Sequence, residues 1–312
     1  MERTVFQRIK RRFKPITVII PFLRRVLIGG ITIGVVVLFQ TPTIISPGPE
    51  HLLHLMQAIH QKVDPEDFDL GIAYWDPQKN EAIDYRVHDR FNPASVIKVP
   101  IMLATLEAIH EGMLKDSETM ILNRKDKVWG SGKLIYAPIG SRWSIQDLIR
   151  YMIVYSDNTA TKMLVDRLTL EGLQVEFNRA GYIGTEIGTG HLLKAQEKNW
   201  TTVADMKRVL NQLLEGDHWH PEGRRQAKEL MKQNVYRWGI PKYLHPAIPV
   251  SNKTGTLKGI VHDMGIIWDG DAPYIIAISV RQKGTSFMVL RERVAEIAKV
   301  IYDWRQEQQS IL

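Results

Sequence analysis

The pattern of this 312-residue chain predicts a mixed α/β domain: an antiparallel sheet flanked by helices, with an all-helical lobe inserted into it. Three observations carry that prediction. Strand-like runs occur in two groups, at residues 68–87 and 248–280, far apart in sequence. The stretch between them is dominated by helical spacing of apolar residues. The last segment, Phe287–Trp304, is amphipathic, with Leu290, Val294, Ile297, Ala298 and Ile301 on its apolar side. Separate strand groups of this kind join most simply into one sheet with helices on its faces.

Each element has its own signal. Residues 1–25 are strongly basic, and Val26–Ile45 is an uncharged run of 20 residues, about the length a helix needs to cross a bilayer. Gly29, Gly30 and Gly34 weaken it, but the exit sequence lacks the small-residue pattern of a cleavage site, so a signal anchor is favoured over a cleaved signal peptide. The preceding cations place the amino terminus in the cytoplasm and the rest of the chain outside, at the cell membrane. Ser46-Pro47-Gly48-Pro49 is a stiff linker, and the catalytic domain spans 50–312. His51–Lys62 reads as a helix. Phe68–Trp75 and Ala82–Val87 read as strands joined by a turn at 76–80. A helical section runs from Pro93 to Leu214, broken by Gly-rich loops near 129–132 and 181–190. Strands return at Ile248–Lys253, Met264–Trp268 and Tyr274–Val280.

The net charge of +7 invites a nucleic-acid reading, so its location decides the matter. Residues 1–25 hold eight Lys or Arg and one acid, and the remainder holds 33 basic and 33 acidic side chains. A nucleic-acid binder carries its basic stripe on the folded domain, and this chain does not. The absence of cysteine removes disulfides, thiolate metal sites and a cysteine nucleophile. His218-Trp219-His220 and His51-Leu52-Leu53-His54 lack carboxylate partners and read as ordinary surface histidines, so neither a metal nor another cofactor is expected. Gly130-Ser131-Gly132-Lys133 lacks the earlier glycine and the hydroxyl residue of a phosphate loop.

Three short motifs carry the chemistry: Ser95-Val96-Ile97-Lys98, Ser156-Asp157-Asn158 and Lys253-Thr254-Gly255, followed by Thr256. A Ser-x-x-Lys occurs by chance about once in a chain of this size, but all three in this order fall well below ~1%. Asn92-Pro93 reads as a helix start, which puts Ser95 in the first turn near the positive end of the helix dipole. Lys98, three residues on, shares its face. Alone, the pair would be a helix-start serine and a solvated lysine. The run Val99–Leu103 is too apolar for a surface helix, so Lys98 is expected to be buried. Burial and a second ammonium, Lys253, would both favour the neutral amine a general base requires. Ser156-Asp157-Asn158 sits at a tight junction between two helices, and Lys253-Thr254-Gly255 at a strand end whose glycine permits close approach.

This combination resembles the class A β-lactamases and the penicillin-binding D-alanyl-D-alanine peptidases, which carry the same three motifs. Thr201-Thr202 before a helix adds to the likeness, and the gaps of 61 and 97 residues lean to the β-lactamase side. The resemblance implies a β-lactamase/transpeptidase-like fold, with a sheet of about five antiparallel strands beside a helical lobe. It further implies Ser95 as nucleophile, Lys98 as base, Ser156 as proton relay and Lys253 as the positive charge. Asn158, Thr254, Gly255 and Thr256 would bind substrate, with the Ser95 and Thr256 N–H groups forming an oxyanion hole. The expected activity is hydrolysis of the amide bond of β-lactams or related cell-wall peptides by a monomeric enzyme. A D-alanyl-D-alanine peptidase and a penicillin-binding sensor that does not turn over remain as alternatives. One departure matters: the Glu-x-x-Leu-Asn segment that activates the deacylating water is missing between Gly188 and Trp200, where only His191 and Glu197 offer a base. Slow deacylation is the expectation.

Overall fold

The computed structural model describes residues 50–63, 68–188 and 199–310. Nearly continuous runs of buried residues build its main sheet. Strand β1 (Asp69–Asp76) pairs with β2 (Glu81–Tyr85). Strands β5 (Val250–Leu257), β6 (Ile260–Ile267) and β7 (Tyr274–Arg281) complete an antiparallel sheet of order β2-β1-β7-β6-β5. The late group of strands thus inserts next to β1, with Ile72 opposite Ile278. Strand β7 lies centrally, which is why its residues 274–280 are buried on both faces.

Two layers cover the sheet. Leu70, Ile72, Tyr74, Ile276 and Ile278 face helix α1 (Glu50–Val63) and the final helix α8 (Phe287–Ser310), packing with Leu55, Ile59, Leu290, Val294 and Ile297. Ala73, Ile275, Ala277 and Met264 face the opposite way, toward the helical lobe. There α6 (Val203–Leu214) comes so close that a Cβ on Gly71 would stand 2.8 Å from Val203 Cγ2. Arg305 of α8 is fully buried and pairs with Asp76 at 3.1 Å and Asp269 at 2.9 Å. Removing either end of such a buried pair costs about 3–5 kcal/mol.

The lobe contains α2 (Lys98–His110), α3 (Ile145–Val154), α4 (Asn158–Leu168), α5 (Leu170–Arg179) and α7 (Pro221–Lys232). Helix α2 is buried on nearly every side from Lys98 to Leu106, as its apolar run predicts.

The expected fold class is the one observed, with corrections at element level. A short antiparallel pair, β3 (Thr119–Ile121) with β4 (Arg142–Ser144), interrupts the section read as helical. Three-residue strands are too short to show a period. The Lys253 motif does not end a strand: β5 runs on to Leu257 and turns through Gly259 into β6, which begins at Ile260. Polar residues such as Thr254 and Thr256 hid that extension from hydrophobic periodicity. The helix bearing Lys98 begins at Lys98 itself, preceded by a 3₁₀ turn over Ala94–Ile97. Among the described residues no helix is long and apolar enough to cross a membrane, and the segment 26–45 lies outside them.

Candidate active site

The turn carrying Ser95 is shaped by its neighbours. Asn92 Oδ1 accepts the Ala94 N–H at 3.1 Å, and Ala94 takes a left-handed φ of +47°, a conformation that costs a non-glycine residue about 1–3 kcal/mol. Strand β5 holds the turn there. A Cβ on Gly255 would stand 3.1 Å from Ala94 Cβ and 3.2 Å from Pro93 O, so glycine lets the strand press against the turn. From β6, fully buried His262 reaches the same turn, its Nε2 lying 2.8 Å from Asn92 O. Burial pushes His262 down to about 4, so the ring is neutral. Bonding a carbonyl fixes its proton on Nε2, leaving Nδ1 to accept from the Ser279 hydroxyl at 2.8 Å.

Lys98, at the start of α2, is fully buried. Its Nζ donates to Ser156 O at 2.7 Å and Asn158 Oδ1 at 2.7 Å and lies 3.2 Å from Ser156 Oγ. Lys253, also fully buried, donates to the same Ser156 Oγ at 3.0 Å and to Thr254 O at 3.1 Å. These partners are all neutral oxygens. Burial and the charge of Lys253 hold Lys98 well below the ordinary lysine range, with Asp157 opposing. Burial alone brings Lys253 down to about 7, against the pull of Asp263. Two amines that resist protonation therefore share one hydroxyl.

Ser156 occupies the junction between α3 and α4 with a left-handed φ of +52°. Asp157 caps α4 through Oδ1, which accepts the Ala160 N–H at 2.9 Å. Its Oδ2 accepts from the backbone N–H groups of Lys133 at 2.5 Å and Leu134 at 2.8 Å. The loop 129–134 is thereby laid over the junction, and Ser131 O accepts the Asn158 N–H at 3.0 Å. Asn158 Nδ2 donates to Trp129 O at 2.9 Å, so both ends of that amide are engaged within the site.

Behind β5, Asp263 is fully buried and receives Asn252 Nδ2 at 3.0 and 3.1 Å and the Ile240 N–H at 2.8 Å. A Cβ on Gly239 would collide with its Oδ2 at 2.3 Å. Burial raises this carboxyl to about 7.

The fold thus gathers Lys98, Ser156, Asn158 and Lys253 into one hydrogen-bonded cluster, with Gly255 against the turn of Ser95 and Thr254 and Thr256 along the same strand. It does not join Ser95 Oγ to Lys98: among the described residues that hydroxyl makes no hydrogen bond. His191 and Glu197 lie outside the described residues. Sequence reasoning missed His262, Asp263 and the structural use of Gly130-Ser131-Gly132. In the sequence only the glycine spacing marks this loop.

With this geometry in view, the relatives fall into place. Residues 54–305 match the model of the β-lactamase enzyme family. The extended-spectrum β-lactamase PER-1 of Pseudomonas aeruginosa is 23% identical over 273 residues, covering 78% of this chain and 84% of that one. A Proteus vulgaris β-lactamase is 25% identical over 254 residues, covering 74% and 80%. Among solved structures, a PBP-A variant in acyl-enzyme complex with penicillin G superposes with a TM-score of 0.77 at 24% identity, covering 82% of this chain and 97% of that one. A Sphaerobacter thermophilus β-lactamase gives 0.74 at 23%, covering 80% and 95%. The match to the family model takes in both strand groups, the lobe between them and all three motifs, and the chain belongs to the β-lactamase enzyme family.

Proposed function

We propose that this protein is a serine hydrolase whose Ser95 is acylated by β-lactams or related cell-wall peptides, with cleavage of the amide bond. The observation that carries the reading is the Ser156 hydroxyl held between the buried amines of Lys98 and Lys253, beside the turn of Ser95. Neutral Lys98 takes the Ser95 proton as the hydroxyl attacks the carbonyl. The Ser95 and Thr256 N–H groups receive the developing oxyanion, a contribution of about 3–4 kcal/mol per donor. Ser156, resupplied through the lysines, passes a proton to the leaving nitrogen. Lys253 and Thr254 hold the substrate carboxylate, Gly255 leaves room for it to approach, and Asn158 offers the second N–H of its Nδ2 to the acyl side chain. β-Lactamase relatives across most of the chain support a β-lactam as acyl donor.

Hydrolysis of the acyl-enzyme is slow in this reading, because the Glu-x-x-Leu-Asn segment is missing. That departure favours, as a second reading, a D-alanyl-D-alanine peptidase or a penicillin-binding sensor. The neutral domain following a basic, then uncharged, amino-terminal stretch supports a single-pass anchor with the catalytic domain outside the membrane.

Incubation with a fluorescent penicillin, followed by intact mass and peptide mapping, tests the acylation. The adduct should map to Ser95 and vanish in Ser95→Ala. A label on Ser156, or a labelled Ser95→Ala protein, sinks the assignment.

A further inference from the structure

Between α7 and β5 the chain crosses from the lobe to the sheet as a segment, residues 234–240, tied down on both sides. The Val235 N–H donates to Val154 O at 3.2 Å, two residues ahead of Ser156. Asn234 Nδ2 donates to Asn252 O at 3.1 Å, one residue ahead of Lys253, and the Ile240 N–H anchors the far end on Asp263. Asn234 Oδ1 also takes the Tyr236 N–H at 3.1 Å, so the backbone that carries Tyr236 is fixed. Its side chain then reaches the lobe. The Tyr236 hydroxyl lies 3.4 Å from Tyr155 O and 3.3 Å from Ser131 Oγ, which itself lies 3.4 Å from Tyr155 O.

Both hydroxyls converge on the carbonyl immediately before Ser156, and Ser131 also braces the Asn158 N–H through its own carbonyl. Tyr236 and Ser131 are half-buried, so they stand at a rim open to solvent. A group that protonates the leaving atom lies on the leaving side of the scissile bond, and in the acyl-enzyme reading, on which this inference rests, that group is Ser156. We infer that Tyr236, with Ser131, walls the leaving-group side of the Ser156 cluster and selects acyl donors whose leaving portion is small. The ring of Tyr236 is the wall, held in place by the contacts its hydroxyl makes with Ser131 Oγ and Tyr155 O.

The test compares Ser95 acylation rates in the full-length protein for two donors: a penicillin, whose leaving nitrogen belongs to a fused ring bearing a carboxylate, and an acyclic thioester that releases thioglycolate. Tyr236→Ala should raise the penicillin rate relative to the thioester rate by about tenfold or more, as removal of a steric barrier does. Tyr236→Phe and Ser131→Ala keep the ring and remove only hydroxyl contacts, so they should shift the ratio the same way by less. They carry the test if the alanine variant at 236 fails to fold. An unchanged ratio in these variants, or two rates falling by one common factor, overturns the inference. Absence of any adduct in the unmodified protein would instead bring down the acyl-enzyme reading, and the wall with it.

Discussion

Lys98 and Lys253, 155 positions apart in the chain, meet at the hydroxyl of Ser156, which stands 3.2 Å from one amine and 3.0 Å from the other. Both amines are fully buried, and the charge of Lys253 adds to the cost of a positive charge on Lys98. Lys98 so placed is held toward its neutral form.

That relationship sets the pH response of acylation. Lys98 accepts a proton only when neutral, so the rate should rise with pH through its depressed pKa. Lys98→Ala should slow acylation by about 10²–10⁴-fold, read from stopped-flow adduct formation across pH. Acylation at the unmodified rate in that variant would require another base.

Gly132 should tolerate no side chain. Its φ is +99°, and a Cβ there would lie 2.2 Å from Asp157 Oδ2 and 2.4 Å from Asp157 Cα, a backbone atom that cannot swing aside. Gly132→Ala is expected to cost about 2–4 kcal/mol of stability from strain and overpacking, together with slower acylation as the Ser156 junction shifts. Urea unfolding within ~0.5 kcal/mol of the parent would contradict this.

His262 and Asp263 should make opposite contributions to stability over an overlapping pH range. The histidine is depressed from 6.5 to about 4, so the unfolded chain binds more protons between those values. Its contribution, full above 6.5, should fall by about 3 kcal/mol as pH drops toward 4. Asp263 is raised from 3.8 to about 7, so its contribution is full below 3.8 and should fall by about 4 kcal/mol as pH rises toward 7. Unfolding measured from pH 4 to 7 should therefore show Asp263→Asn gaining on the parent as pH rises. His262→Gln should gain as pH falls. Parallel curves for either variant would show that its side chain titrates as it does in water.

Slow turnover is the expected consequence of the missing carboxylate segment. Loss of a general base holds deacylation back by about 10²–10⁴-fold, so the penicillin adduct should persist on the timescale of intact-mass sampling. Rapid nitrocefin hydrolysis with no adduct would overturn this, and Glu197→Gln and His191→Ala would then show which side chain activates the water.

Much of this protein was legible in one dimension. Apolar runs and helical spacing report burial, and burial is what builds the sheet, its covering helices α1 and α8, and the apolar α2 that encloses Lys98. The three motifs named in advance Lys98, Ser156, Asn158 and Lys253, the residues that the fold gathers into the cluster. Distances between segments were not legible. Only the folded chain decided that Lys98 bonds to Ser156 and Asn158 instead of Ser95, and that Gly132 must clear Asp157. The same is true of the neutral His262 that supports the turn of Ser95 and of the reach of Tyr236 to Tyr155. A polar side chain buried by a remote segment looks in sequence like one exposed to water, because its environment is supplied by residues far along the chain.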